Sequence, residues 1–73
     1  MEKDYNTEIG KWLANKRKEK GYSQQYIAER LNVSKVAVHY WETGKRVIYA
    51  VHFMDYCKVI GVDPKECIEE IMK

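Results

Sequence analysis

Apolar side chains recur three and four residues apart along most of this chain, the spacing at which they share one face of a helix. Ile9, Trp12 and Leu13 form the first such stripe, and Arg17 continues it four residues beyond Leu13. Asn6 or Thr7 can cap this helix, which runs to about Lys20 and is closed by Gly21, so residues 1–6 read as a frayed lead. An arginine on a buried stripe requires a carboxylate partner. The run Lys16-Arg17-Lys18-Glu19-Lys20 otherwise reads as a solvated face whose lysines suit the negative end of the helix dipole. Ser23 opens a second helix, Gln24 to about Leu31, with Ile27 and Leu31 four apart and the small Ala28 between them. Ser34 opens a third, spanning 35–43 and stopped by Gly44; Val38 and Trp41 share its buried face. Ala50 to Ile60 is an apolar helix ended by Gly61, carrying Phe53, Met54, Tyr56, Cys57 and Ile60. Asp63-Pro64-Lys65-Glu66 starts the last helix with a cap, a proline at the first helical position and an acid at the third. Along it Cys67 and Ile71 form one pair, and Ile68 and Met72 form another about 100° away, so one edge can face the core and the other a second subunit.

Only Asn32-Val33-Ser34 separates the second helix from the third. So short a link needs a left-handed residue, a conformation asparagine tolerates, and the steep crossing it enforces needs a small contact residue, which Ala28 supplies. These features predict a helix-turn-helix over about 24–43. The third helix leaves Lys35, Val36, Ala37, His39 and Tyr40 on its outer and leading sides. Small apolar groups beside a cation and a phenol are poorly explained by solubility. They suit the major groove of DNA, where Ala37 or Val36 can meet a thymine methyl and Lys35 or Tyr40 can reach base edges or phosphates.

Composition narrows the alternatives. Seventy-three residues, 45% hydrophobic and 33% charged, suit one globular domain, 1–73, with a modest core. No apolar run approaches the roughly 18 residues of a membrane span, and the polar N-terminus gives no signal-peptide pattern. The net charge of +2 is unevenly spread: residues 1–46 carry ten basic and six acidic side chains, residues 47–73 three and five. That asymmetry points one end at a polyanion. Cys57 and Cys67 lie in apolar patterns without metal-ligand spacing, as buried free thiols in a reducing cytoplasm would. His39 and His52 have no cysteine or carboxylate at ligand spacing, and no phosphate loop or nucleophile motif is present, so neither catalysis, a cofactor nor a small-molecule ligand is expected. His39 reads as a surface side chain, with a DNA contact as the alternative, and Trp12 and Trp41 read as core.

The sequence resembles the Cro and phage-repressor type of helix-turn-helix domain, the xenobiotic-response-element family. Counted from Gln24, apolar residues fall at the fourth, eighth, tenth, fifteenth and eighteenth places (Ile27, Leu31, Val33, Val38, Trp41), with alanine fifth and asparagine ninth, where the family prefers glycine. Ile9, Leu13, Arg17, Gly21 and the segment Trp41-Glu42-Thr43-Gly44-Lys45 also match, and the resemblance covers about Ile9 to Cys67. It implies a compact all-α, five-helix, lambda-repressor-like DNA-binding domain in which Arg17 pairs with Glu42. By the same resemblance Lys35, Val36, Ala37 and Tyr40 occupy base-reading positions. Gln24, Thr43, Lys45 and Arg46 occupy positions that meet the DNA backbone. After Arg46 the chain departs from the family, with Val47-Ile48-Tyr49 in place of Asn-Pro and a hydroxyl cap. That apolar loop either packs under itself or meets a partner. The expected function is sequence-specific binding of double-stranded DNA as a transcriptional repressor, in the cytoplasm of a bacterium or its phage. Repression is the expected sign because nothing beyond the binding domain is there to recruit polymerase. The expected assembly is a homodimer on an inverted-repeat operator, joined through Ile68, Ile71 and Met72 with Val47 and Ile48. The alternative is a protein-interaction module of the same fold, an antitoxin or adaptor; an acidic face over 35–40 would have favoured it.

Overall fold

The computed structural model describes residues 4–73, and the part of the expected lead at residues 1–3 lies outside the described residues. Five helices follow in order: α1 Tyr5–Glu19, α2 Gln24–Leu31, α3 Lys35–Thr43, α4 Ala50–Ile60 and α5 Pro64–Ile71, with no strand among the described residues. The three central starts and stops are those the side chains dictate. Ser23 Oγ accepts from the Tyr26 amide and Ser34 Oγ from the Ala37 amide, each at 3.0 Å. Asn32 takes the left-handed turn (φ 58°, ψ 45°), and the Val33 amide closes it on the Ala28 carbonyl at 2.9 Å. At the head of α5 the Asp63 and Glu66 side chains form a reciprocal capping box, with Pro64 just inside it.

One helix start differs from the sequence reading. The cap of α1 is Asp4, not Asn6 or Thr7. Its carboxylate accepts from both the Thr7 amide (3.2 Å) and the Thr7 hydroxyl (2.6 Å), so the helix begins at Tyr5 and residues 4–6 are not a loose lead. The Asn6 amide is used elsewhere, donating to the Gly44 carbonyl at the far end of α3 (2.9 Å). α4 starts at Ala50, as the sequence places it, with Tyr49 at the cap position and no side-chain cap; the Phe53 amide bonds the Tyr49 carbonyl at 2.9 Å.

The core is drawn from every helix: Trp12 and Leu13, Ile27 and Ala28, Val38 and Trp41, Tyr56, Cys57 and Ile60, Cys67 and Ile71. Burial pushes the Cys57 thiol up to about 12 and the Cys67 thiol to about 11, so both free thiols serve as small apolar groups. Gly10, which the periodicity does not single out, sets how closely α1 and α3 approach. A methyl on its Cα would lie 2.3 Å from the Trp41 carbonyl oxygen and 2.8 Å from that of Glu42. On the other side of α1, Lys16 pairs with Glu70 of α5 at 3.6 Å and with Glu19 at 3.9 Å.

Candidate nucleic-acid interface

On α3, Val38, Trp41 and Glu42 are buried, while Lys35, Val36, His39 and Thr43 are exposed or nearly so and Ala37 and Tyr40 are half-buried. Val36 keeps 56% of its surface in solvent, which an isolated core valine would not. Lys35, Val36 and Tyr40 line one shallow groove together with Gln24 and His39. Ala37 belongs to the other flank, in a depression shared with Val33, Arg46, Val47 and Tyr49. The structure therefore gathers three of the four expected base-reading residues and sets the fourth at the edge. It also places His39 there, for which the sequence kept a DNA contact as the alternative to a plain surface side chain. His39 is one turn after Lys35 and three residues after Val36, so the three share a face.

Past the helix, Gly44 takes φ 79°, with its Cα packed against Thr7, where an added methyl would come within 2.6 Å of the Thr7 hydroxyl. That turn folds the chain back so that the Lys45 and Arg46 amides both bond the Tyr40 carbonyl, at 2.9 and 3.3 Å. Their side chains then lie over the Tyr40 ring, Lys45 Nζ 5.8 Å and Arg46 Cζ 5.2 Å from its centroid. Tyr40 thus holds two cations beside the exposed face of α3, at distances where the ring quadrupole attracts them. Thr43 is exposed at the end of α3. Its hydroxyl donates to the His39 carbonyl at 2.9 Å, so its one proton is engaged within the helix.

Behind α3, Arg17 and Glu42 form the pair that the stripe required. Arg17 Nε donates to Glu42 Oε2 at 2.8 Å and Nη2 to Oε1 at 2.9 Å, and Nη1 donates to the Tyr22 carbonyl at 2.9 Å. Two further donors converge on the same carboxylate, Gln24 Nε2 on Oε1 at 2.9 Å and the Tyr56 hydroxyl on Oε2. Burial pushes the Glu42 carboxyl up, but the hydrogen bonds from Arg17, Tyr56 and Gln24 together leave it below its ordinary value. Arg17 is raised, first by its hydrogen bond to Glu42. Tyr56 is raised too, first by burial and then by Glu42, and stays a hydroxyl donor. The network joins α1, α2, α3 and α4 at one carboxylate. Sequence spacing did not reveal Tyr56 as a member, because its ring follows the apolar stripe of α4. Gln24 accordingly has one amide hydrogen fixed inward and one left for the surface.

The residues expected at a subunit interface divide. Ile48, Ile68, Ile71 and Met72 line one open apolar groove of about 360 Å³, completed by Ile9 and Phe53 among others. Ile68 is 63% and Met72 60% exposed, whereas Ile71, at 9%, is a core residue showing only its rim. Val47, 65% exposed, faces the depression beside Ala37 instead. The apolar loop is thus split, Ile48 turned toward α5 and Val47 and Tyr49 toward α3.

Comparison with known proteins gives the same architecture. A family model described as helix-turn-helix, of the Cro/C1 type, matches residues 13–67. The crystal structure of the restriction-modification controller protein C.AhdI from Aeromonas hydrophila superposes with a TM-score of 0.78 at 24% sequence identity. The match covers 84% of this chain and 92% of that one. No curated protein matches the sequence.

Proposed function

This chain belongs to the Cro/C1-type helix-turn-helix family of DNA-binding transcriptional regulators, and from that premise we propose that it is a sequence-specific repressor which reads the major groove with α3. The observation that carries the reading is the exposed side of α3, where Lys35, Val36 and Tyr40 line one groove and Lys45 and Arg46 are held over the Tyr40 ring. Val36 supplies apolar contact for a thymine methyl, Lys35 reaches a guanine edge or a phosphate, and Ala37 reads at the flank. Lys45 and Arg46 neutralise phosphates and the outer amide hydrogen of Gln24 donates to one; Thr43 adds packing against the backbone. The apolar groove between α5 and Ile48 supports a homodimer on DNA, which by two-fold symmetry takes an inverted-repeat operator. Two free, buried thiols suit a reducing compartment such as the cytoplasm. Among the described residues no helix is long and apolar enough to cross a membrane.

The test begins with duplexes selected from a random pool, followed by binding to the selected site and its single-base variants across a salt series. Val36→Ala and Tyr40→Ala should alter preference at particular base pairs by about 1–3 kcal/mol each. Lys45→Ala and Arg46→Ala should weaken every duplex alike, each flattening the salt slope by about one for the phosphate it no longer neutralises. Equal weakening on selected and variant sites for Val36→Ala would remove base reading by α3 and favour an antitoxin or adaptor role. A reporter under the selected site, silenced by the parent protein, tests the sign of regulation.

A further inference from the structure

The groove on the α1 side of α3 is a cationic concavity to which base reading by α3 assigns no role. Lys11, Ala14, Asn15 and Lys18 stand at i, i+3, i+4 and i+7 on α1, so they form one stripe along it. That stripe makes one wall of a groove whose other wall is His39, Thr43 and Gln24. Its floor is the Arg17–Glu42 pair, whose charges cancel. Among the described residues Lys11 and Lys18 make no ion pair. The acids Glu8 and Glu19 of α1 are not in the groove, and Glu19 is paired with Lys16 on another face. Two ammonium groups, an exposed amide and an imidazole therefore line the groove, and among the described residues its one acid is Glu42, already paired with Arg17.

The position of this groove identifies its ligand. Gln24 and His39 border both it and the groove that holds Lys35, Val36 and Tyr40, so the two surfaces are continuous. Arg46 lies on the opposite flank of α3, in the depression beside Ala37, and Lys45 shares the Tyr40 ring with it. A helix in the major groove has a sugar-phosphate strand on each side. Lys11 and Lys18 are seven residues apart, roughly 10 Å of helix at about 1.5 Å per residue. A strand presents one phosphate per about 3.4 Å of duplex axis, so the two lysines can reach separate phosphates.

We propose that Lys11, Asn15 and Lys18 of α1, with His39 opposite them, form a phosphate-binding track for one strand of the duplex, while Lys45 and Arg46 hold the other strand. This rests on the reading of the protein as a DNA-binding regulator and adds a second strand contact to it. The track lies on an exposed face of α1, and it contributes affinity and register rather than base preference.

The experiment compares the parent protein with Lys11→Gln/Lys18→Gln and with a control of equal charge change away from this face, Lys58→Gln/Lys65→Gln. Fluorescence anisotropy of a labelled duplex gives affinity against salt, and thermal unfolding of each variant checks that the fold is retained. Removing two phosphate-neutralising charges should make the slope of log affinity against log salt shallower by about 1.8. Cognate and non-cognate duplexes should weaken by the same factor, and phosphate ethylation on one flanking strand should cease to interfere. The control pair should leave the slope near that of the parent. A parent-like slope in Lys11→Gln/Lys18→Gln, or an equal change in the control, overturns the track and leaves DNA binding standing. A parent that binds no duplex in a salt-dependent way overturns both.

Discussion

Glu42 is the residue on which most of the molecule's polar order depends. Its carboxylate accepts from Arg17 twice, from Gln24 and from Tyr56, with both partners of the ion pair buried. Glu42→Ala should cost roughly 3 kcal/mol or more in chemical denaturation, because it leaves a guanidinium and a phenol buried without their acceptor. Replacing Arg17 and Glu42 together by methionine and leucine should cost less than the single change, since no uncompensated charge remains. Single variants within about 0.5 kcal/mol of the parent would mean that the pair is worth no more than an exposed one. The acid limb follows from the same group. Glu42 lies below its ordinary 4.5 in the folded state, so the unfolded chain binds more protons as pH falls. Stability from this carboxylate is fully present above 4.5 and is lost as pH drops through the folded value. Asp4, lowered by its hydrogen bonds from Thr7, adds in the same direction. Denaturation midpoints measured downward from neutrality should fall in that window, and Glu42→Gln should flatten the fall to the share left by Asp4.

At the scale of helices, the orientation of α3 is decided by how α1 lies on it. Gly10 brings the α1 backbone against the Trp41 and Glu42 carbonyls, and Asn6 ties the start of α1 to Gly44 at the end of α3. A glycine inside a helix is unfavourable by roughly 0.5–1 kcal/mol relative to alanine, so in open space Gly10→Ala would stabilise. Here the added methyl meets backbone oxygen at 2.3 Å, and two helices must separate to admit it. Gly10→Ala should destabilise by about 2 kcal/mol, in the range of overpacked cores, and should weaken DNA binding beyond that destabilisation by shifting α3. A variant more stable than the parent would show that the two helices separate freely.

The whole molecule presents two faces of different character. The cationic side proposed to face DNA is built on α3, α1 and the turn after α3, and an apolar groove lies between α5, Ile48 and the first turns of α1 and α4. For a homodimer through that groove, Ile68→Lys is the informative change, because Ile68 is 63% exposed whereas Ile71 is a core side chain. Sedimentation of the complex should find two subunits on a site whose half-sites are about 10 base pairs apart. Ile68→Lys should weaken binding to that site while sparing an isolated half-site. One subunit per duplex, or unchanged affinity in Ile68→Lys, would dismiss the dimer.

The helix-turn-helix was legible in the chain alone because its determinants are local: Ser23 and Ser34 cap, Asn32 turns left-handed, Gly44 stops, and the apolar period puts Val38 and Trp41 inside. Arg17 on an apolar stripe already demanded an acid, and the family resemblance supplied Glu42. Beyond that point the sequence ran out, because the remaining features depend on which helices meet. Nothing local marks Tyr56 as a donor to Glu42, Gly10 as the crossing point of α1 and α3, or Asn6 as a clamp on Gly44, since each acts on a partner more than ten residues away. The same holds for the division of the apolar loop, where Ile48 and Val47 differ only in the surfaces that α5 and α3 bring to them. Local hydrogen bonding and periodicity determine where helices begin, end and bury, whereas long-range packing alone decides which exposed side chains share a groove.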